Sequence, residues 1–323
     1  MERSRTMMQQ QAKLAAPKLR SPETSLGRRK VTKYWQLYAL ALPAVAYFVL
    51  FCYVPMYGVQ IAFKDFVPVR GIWGSEWIGF EHFDRFFHSY YFGTLIENTV
   101  LINLFQLALF PVAIIVALSI NELKNGPFKK IVQTITYIPH FISVVVLCGM
   151  MIAFLNPSTG ILNRGIEALT GRTLPFLTDP SWFKPVFVLS GEWQNLGWGA
   201  IIYLAALAGV SPDLHEAATV DGATRWQRIR HINIPSILPT IIILFILSTG
   251  NLMNVGFEKV FLLQNELNME GSDVIQTYVY RTGLLSGQYS FSSAVGLFNS
   301  VVNLAILVTV NGIARKVSHT SLW

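Results

Sequence analysis

The sequence predicts an all-α protein that crosses a membrane six times with both termini on the cytoplasmic side, and three observations carry that expectation. Of its 323 residues, 52% are hydrophobic and 13% charged, with a mean hydropathy of +0.44, whereas a soluble domain carries about 25% charged residues. Six apolar stretches reach the ~20 residues that a helix needs to cross the hydrocarbon core. Basic residues are concentrated in the connections that a six-span topology places on one side.

The spans are expected at residues 35–57, 95–120, 131–155, 183–208, 234–255 and 294–314. Nine of the 25 Lys and Arg residues lie in the first 34 positions, beside the first apolar run. Lys124, Lys129, Lys130, Arg225, Arg228, Arg230, Arg315 and Lys316 fall on the same side of the predicted topology. That asymmetry is read as orientation rather than as a nucleic-acid patch, so no nucleic-acid partner is expected despite the net charge of +7. The first run is span-length and lacks a clear small-residue cleavage site, which reads as a retained helix and not a signal peptide. Cys52 and Cys148 both sit in apolar runs, where free Cys acts as a small hydrophobe.

Three long connections then face outward, at residues 58–94, 156–182 and 256–293. The first is rich in aromatics, among them Phe63, Trp73, Trp77, Phe80 and Phe86. Two readings remain open for these rings, a belt at the lipid headgroup level and a docking platform.

The connection after the fourth span, residues 211–235, has its own punctuation. Ser211 is placed to cap a helix that begins at Pro212, with Asp213 near its positive end. Gly222 lets the chain leave that helix at an angle, and Thr224 is placed to cap a second one. Trp226, Ile229 and Ile232 give the second helix an apolar side, and Pro235 is expected to close it. Such a helix pair fits a groove in a partner protein or rests on anionic lipid, and the residues alone leave both open.

Polar residues inside spans are costly and often functional. Glu192, Trp193, Gln194, Asn195 and Trp198 in the fourth span, with Asn251 and Asn254 at the end of the fifth, supply carboxylate, amides and flat rings suited to a sugar. The same groups also serve as polar glue between helices, and both readings stand. Asn98, Asn103, Gln106, Asn299 and Asn303 are read as packing residues. No Gly-x-x-x-x-Gly-Lys-Ser/Thr, His-Glu-x-x-His or Cys-x-x-Cys pattern occurs, which argues against bound ATP, a metal site and catalysis.

Glu216-Ala217-Ala218, then Asp221-Gly222-Ala223, then Ile232 and Pro235 resemble the EAA signature of binding-protein-dependent ABC importer permeases. Ile229 stands where many relatives place Phe, and Arg225 lies within the same segment. Residues 65–74, 77–79, 275–281 and 287–290 resemble the branch that imports complex oligosaccharides, some of them acidic, such as alginate or pectin fragments.

The resemblance implies a non-catalytic permease of the bacterial inner membrane that works with a second, different permease chain. Two cytoplasmic ATPases that use ATP and Mg, and an extracytoplasmic solute-binding protein, would complete the complex. Residues 1–34 are then a flexible basic tail, 35–316 the transmembrane domain with its coupling segment at 211–235, and 317–323 a short tail. A secondary carrier using Glu192 as an ion or proton site is the alternative.

Overall fold

The computed structural model describes residues 34–318 and 320–322; the predicted basic tail lies outside the described residues except for Tyr34. The chain divides into two compact units, one ending at Val59 and the other beginning at Gln60.

In the first unit, α1 (Trp35–Phe48) continues through a π-turn at Val49–Tyr53 into a short turn of helix at Val54–Met56. Pro43 lies inside α1, and α1 has no buried residue. Its rings and aliphatic side chains point outward all round, as suits a helix surrounded by an apolar medium.

The second unit begins its apolar architecture with α2 (Phe92–Asn121), followed by α3 (Pro127–Tyr137) and α4 (Val144–Leu155). Then come α5 (Pro180–Ala208), α6 (Pro212–Val220) and α7 (Arg225–Arg228). The chain finishes with α8 (Ile234–Thr249), α9 (Phe257–Leu263), α10 (Ile275–Val279) and α11 (Tyr289–Ser318). β1 (Lys64–Asp65) and β2 (Glu76–Trp77) form a two-residue antiparallel ladder, so the all-α expectation holds with this minor addition.

Among the described residues four helical runs are long and apolar enough to cross a membrane alone, and up to six do so if each bent pair counts as one span. The third expected span is not one rod. Its two halves, Pro127–Phe141 and Val144–Leu155, meet at 98°. Pro139 lies in the final turn of the first half, while Ser143 starts the second by accepting a hydrogen bond from the Val146 amide (3.3 Å). An apolar run hides this break because a hydropathy window weighs side chains and not backbone direction.

The fifth span also differs from expectation. Pro235 does not close the helix that begins after Thr224; a continuous helix runs Arg225–Thr249. A π-turn at Ile229–Asn233 precedes Pro235, which sits in the first turn of α8. The widened turn accommodates a residue that lacks an N–H and would otherwise crowd the preceding carbonyl.

The most extensive helix pairing among the described residues is α2 with α5. Around it lie three apolar clusters. One joins Ile102, Met151, Phe187, Val260 and Val274; another joins Ala117, Ala200, Tyr203, Leu207 and Ile237. The third centres on Phe86, which touches Phe92, Tyr278, Phe291 and Phe298. Phe86 therefore belongs to the core, while Trp73, Trp77 and Phe80 from the same connection stay exposed.

Candidate functional site

The segment at residues 211–235 is built by local backbone chemistry. Ser211 occupies the cap position of α6 without capping it; its hydroxyl donates instead to Asp213 (3.3 Å). At the far end Gly222 adopts φ +77°. The Gly222 amide donates to the Thr219 carbonyl (3.1 Å) and the Ala223 amide to the Ala218 carbonyl (2.8 Å), a helix stop built on a left-handed residue.

Thr224 then starts α7 with a capping box: its amide donates to Gln227 Oε1 (2.7 Å), and the Gln227 amide donates to its hydroxyl oxygen (3.4 Å). Arg228 Nη1 donates to the Thr219 hydroxyl (2.7 Å) and ties the two helices together.

This geometry gathers Ala218, Asp221, Gly222 and Ala223 around a concavity of about 270 Å³, with Gln227, Arg228, His231 and Ile232. Glu216, Ala217 and Arg225 lie on exposed surface beside it. Ile229 faces inward against the cluster of Ala200, Leu207 and Ile237, and Pro235 is exposed within the fifth span. Val220 and Trp226 are the most exposed large apolar side chains of the segment, at 88% and 69% exposure. At the base, fully buried Asn233 reaches Glu122 at the end of α2 (3.5 Å). Neither residue carries a sequence signal, because each matters only through the other.

The polar cluster of the fourth span separates into two sets. Glu192 and Asn195 line a cavity of about 410 Å³ between α2, α5 and the end of the fifth span, and Asn251 and Asn254 line it too. Asn103, Gln106, Tyr203 and Ser248 complete its polar wall. Two of the residues read as packing groups thus belong to the cavity, although Asn103 also donates back to the Thr99 carbonyl (2.9 Å).

Trp193, Gln194 and Trp198 do not line it. Gln194 is buried and donates to the Ile142 carbonyl (2.7 Å), satisfying backbone freed by the break in the third span. Trp198 stacks on His140, centroids 4.4 Å apart and planes 5° apart. His140 Nδ1 lies 3.0 Å from Asn195 Oδ1, so His140 is a neighbour of the cavity that composition did not single out. Gly197 lets α5 approach α3 so closely that a Cβ there would overlap the Thr136 carbonyl. Two of the remaining asparagines act as staples: Asn98 donates to the Glu270 and Asp273 carbonyls (2.9 and 3.0 Å), and Asn303 accepts from the Met253 amide (2.9 Å).

The connection between the fifth and sixth spans is pinned from within. Arg281 pairs with Asp273 (2.6 Å), and Thr277 donates to the same carboxylate (2.9 Å). Lys259 donates to the Phe187 carbonyl (2.7 Å) and sits 4.6 Å from the centre of the Phe187 ring. Burial pushes its amine down to about 8.

A polar cavity between bent and continuous apolar helices suits the membrane subunit of a transporter. Residues 109–319 match the family of binding-protein-dependent transport system inner membrane components, and the chain belongs to that family. It is an inner-membrane permease subunit of an ABC importer.

The chain is 44% identical to the protein LplB of Bacillus subtilis (strain 168) over 288 residues, which cover 89% of this chain and 91% of that one. It is 42% identical over 295 residues to the polygalacturonan/rhamnogalacturonan transport system permease protein YteP of the same organism, covering 91% and 92%. A chain of a bacterial alginate ABC transporter, crystallised with an alginate pentasaccharide-bound periplasmic protein, superposes with TM-score 0.84 at 40% identity. That match covers 91% of this chain and 99% of the other. These relatives do not favour the secondary-carrier alternative.

Proposed function

We propose that this chain forms one part of the translocation path for an oligosaccharide handed over by a solute-binding protein, and that residues 211–235 face the cytoplasm and seat an ATPase. The observation that carries the reading is the cavity of about 410 Å³ walled by Glu192, Asn195, Asn251 and Asn254. Its size lies in the range of ligand sites, and its amides offer donors and acceptors to hydroxyl groups.

A uronate-containing cargo is the favoured class, because relatives above 40% identity handle polygalacturonan or rhamnogalacturonan, or belong to an alginate importer. Glu192 opposes an anion at that spot, so the second permease chain is expected to supply a cation there. ATP and Mg belong to the two partner ATPases. Their closure would pull on Glu216, Ala217 and the concavity around Gly222, and rock the spans so that the cavity opens alternately to the two sides.

The test is ATP hydrolysis by the purified complex with its loaded solute-binding protein, across a panel of neutral and acidic oligosaccharides. A uronate oligosaccharide should stimulate most, and Glu216→Lys should abolish stimulation while the complex still assembles. Full stimulation in Glu216→Lys, or none with any oligosaccharide in the parent complex, would overturn the proposal.

A further inference from the structure

A second, larger pocket of about 660 Å³ lies at the end of the molecule opposite the coupling segment, between α9, α10, the π-turn at Tyr280–Leu285 and the first half of α11. Asn254 lines both this pocket and the cavity, so the two lie on either side of one residue. Rings from Phe257, Tyr280 and Tyr289 face it, and no charged residue lines it.

Two polar groups in its wall have unused acceptors. Gln276 spends both amide hydrogens, on the Met253 carbonyl (2.8 Å) and on Asn254 Oδ1 (2.8 Å), and its own Oε1 receives no donor. Asn299, only 9% exposed, likewise has an Oδ1 without a donor. Buried acceptors left unpaired are costly, and because both oxygens are closed to the pocket they mark a strained wall and not a contact for a guest.

The shape of the pocket is set by two glycines. A Cβ at Gly283 would overlap the Ser292 hydroxyl, so glycine lets the π-turn close against α11. Gly296 lines the pocket, and a Cβ there would meet nothing within 4 Å.

Resting on the reading that the cargo is an oligosaccharide, we propose that this pocket is an outer glycosyl subsite, which holds the trailing sugar rings of a long chain while its leading end occupies the cavity between α2 and α5. The rings offer flat apolar faces to sugar C–H surfaces, and the lining side chains of Asn254, Gln276 and Ser293 supply polar groups for sugar hydroxyls. Because the lining is uncharged, the subsite reads length and not carboxylate content. Its position beside the first cavity, with Asn254 in both walls, suits a chain of several sugars.

The experiment uses the complete complex in vesicles and compares uptake of a uronate pentasaccharide with that of the disaccharide of the same repeat. Gly296→Leu places a side chain in the open pocket, and Tyr280→Ala removes a ring from its wall. Each should lower pentasaccharide uptake at subsaturating concentration by about tenfold, equivalent to one ordinary increment of binding energy. Disaccharide uptake should stay within about twofold, since the shorter chain fits the first cavity.

A neutral pentasaccharide, if carried, should show the same sensitivity. Equal loss for both lengths would mean that the pocket is filled by lipid or by a neighbouring helix, and no loss for either would mean that cargo never enters it; both results overturn the proposal. Should Gly296→Leu fail to assemble, Tyr280→Ala alone decides. Absence of any oligosaccharide uptake by the parent complex is a different failure, that of the cargo assignment itself.

Discussion

Gly222 offers a graded test of how the coupling segment is held. Its φ of +77° lies in the left-handed region, which costs an ordinary L-residue about 1–2 kcal/mol. A Cβ at this position meets no atom of the chain within 4 Å, so backbone conformation alone sets the cost. If only the left-handed turn presents Asp221 and Ala223 correctly, that cost lowers the population able to seat an ATPase by roughly 5–30-fold.

Gly222→Val should show the largest loss, because a β-branched residue is least tolerant of positive φ. Gly222→Asn should lose about threefold or less, since asparagine enters this region readily. The assay is the affinity of the solubilised permease complex for its ATPase subunits, read beside cargo-stimulated hydrolysis. Equal losses for Asn and Val, or full affinity for Val, would refute the turn-based reasoning.

Other parts of the molecule make independent predictions. Gly197→Val should destabilise the membrane domain by about 1–3 kcal/mol through the clash with the Thr136 carbonyl. Gly199→Ala, which makes ordinary contact with Ala113, should change thermal stability by less than about 0.5 kcal/mol; equal effects of the two would disprove the close approach.

Lys259, with its pKa lowered to about 8, carries a cost of charge burial that is fully present below that pH. The cost lifts as pH rises towards the ordinary lysine value of about 10.4, because there the unfolded chain binds the extra proton. Stability relative to Lys259→Met should therefore improve by up to about 3 kcal/mol between about pH 7 and pH 10. A pH-independent difference in melting temperature would count against it. Glu192→Gln should lower the KM for an acidic pentasaccharide by a few-fold to about tenfold and leave a neutral one unchanged; an equal effect on both cargoes would remove the carboxylate from charge selection.

Much of the fold can be read from side-chain hydropathy, since helices in lipid must satisfy their own backbone and so need long apolar runs. The break at Ile142–Ser143 cannot be read that way. Pro139 and Ser143 hint at it, but the group that makes it tolerable, Gln194, lies 52 residues away from Ile142. The geometry of residues 211–235 is unusually legible because its determinants are local: Gly222 for positive φ, Thr224 and Gln227 for the capping box.

Pro235 misleads, because a π-turn upstream absorbs what would otherwise be a helix stop. In the cavity, composition finds a helix that lines it but not which of that helix's side chains do so. Glu192 and Asn195 face the cavity while Gln194 between them turns to the Ile142 carbonyl, a distinction set by which neighbour each helix face meets. Asn103 and Gln106 join the same wall from α2, which no spacing within α5 announces.

The central claim is that an ATPase, acting through residues 211–235, drives an oligosaccharide past the cavity at Glu192. The direct measurement is uptake into vesicles that contain the complete complex, with loaded solute-binding protein outside and ATP enclosed. Uptake should require enclosed ATP and disappear in Gly222→Pro, whose fixed negative φ cannot form the turn. Uptake driven by an ion gradient without ATP, or undiminished transport by Gly222→Pro, would contradict the account.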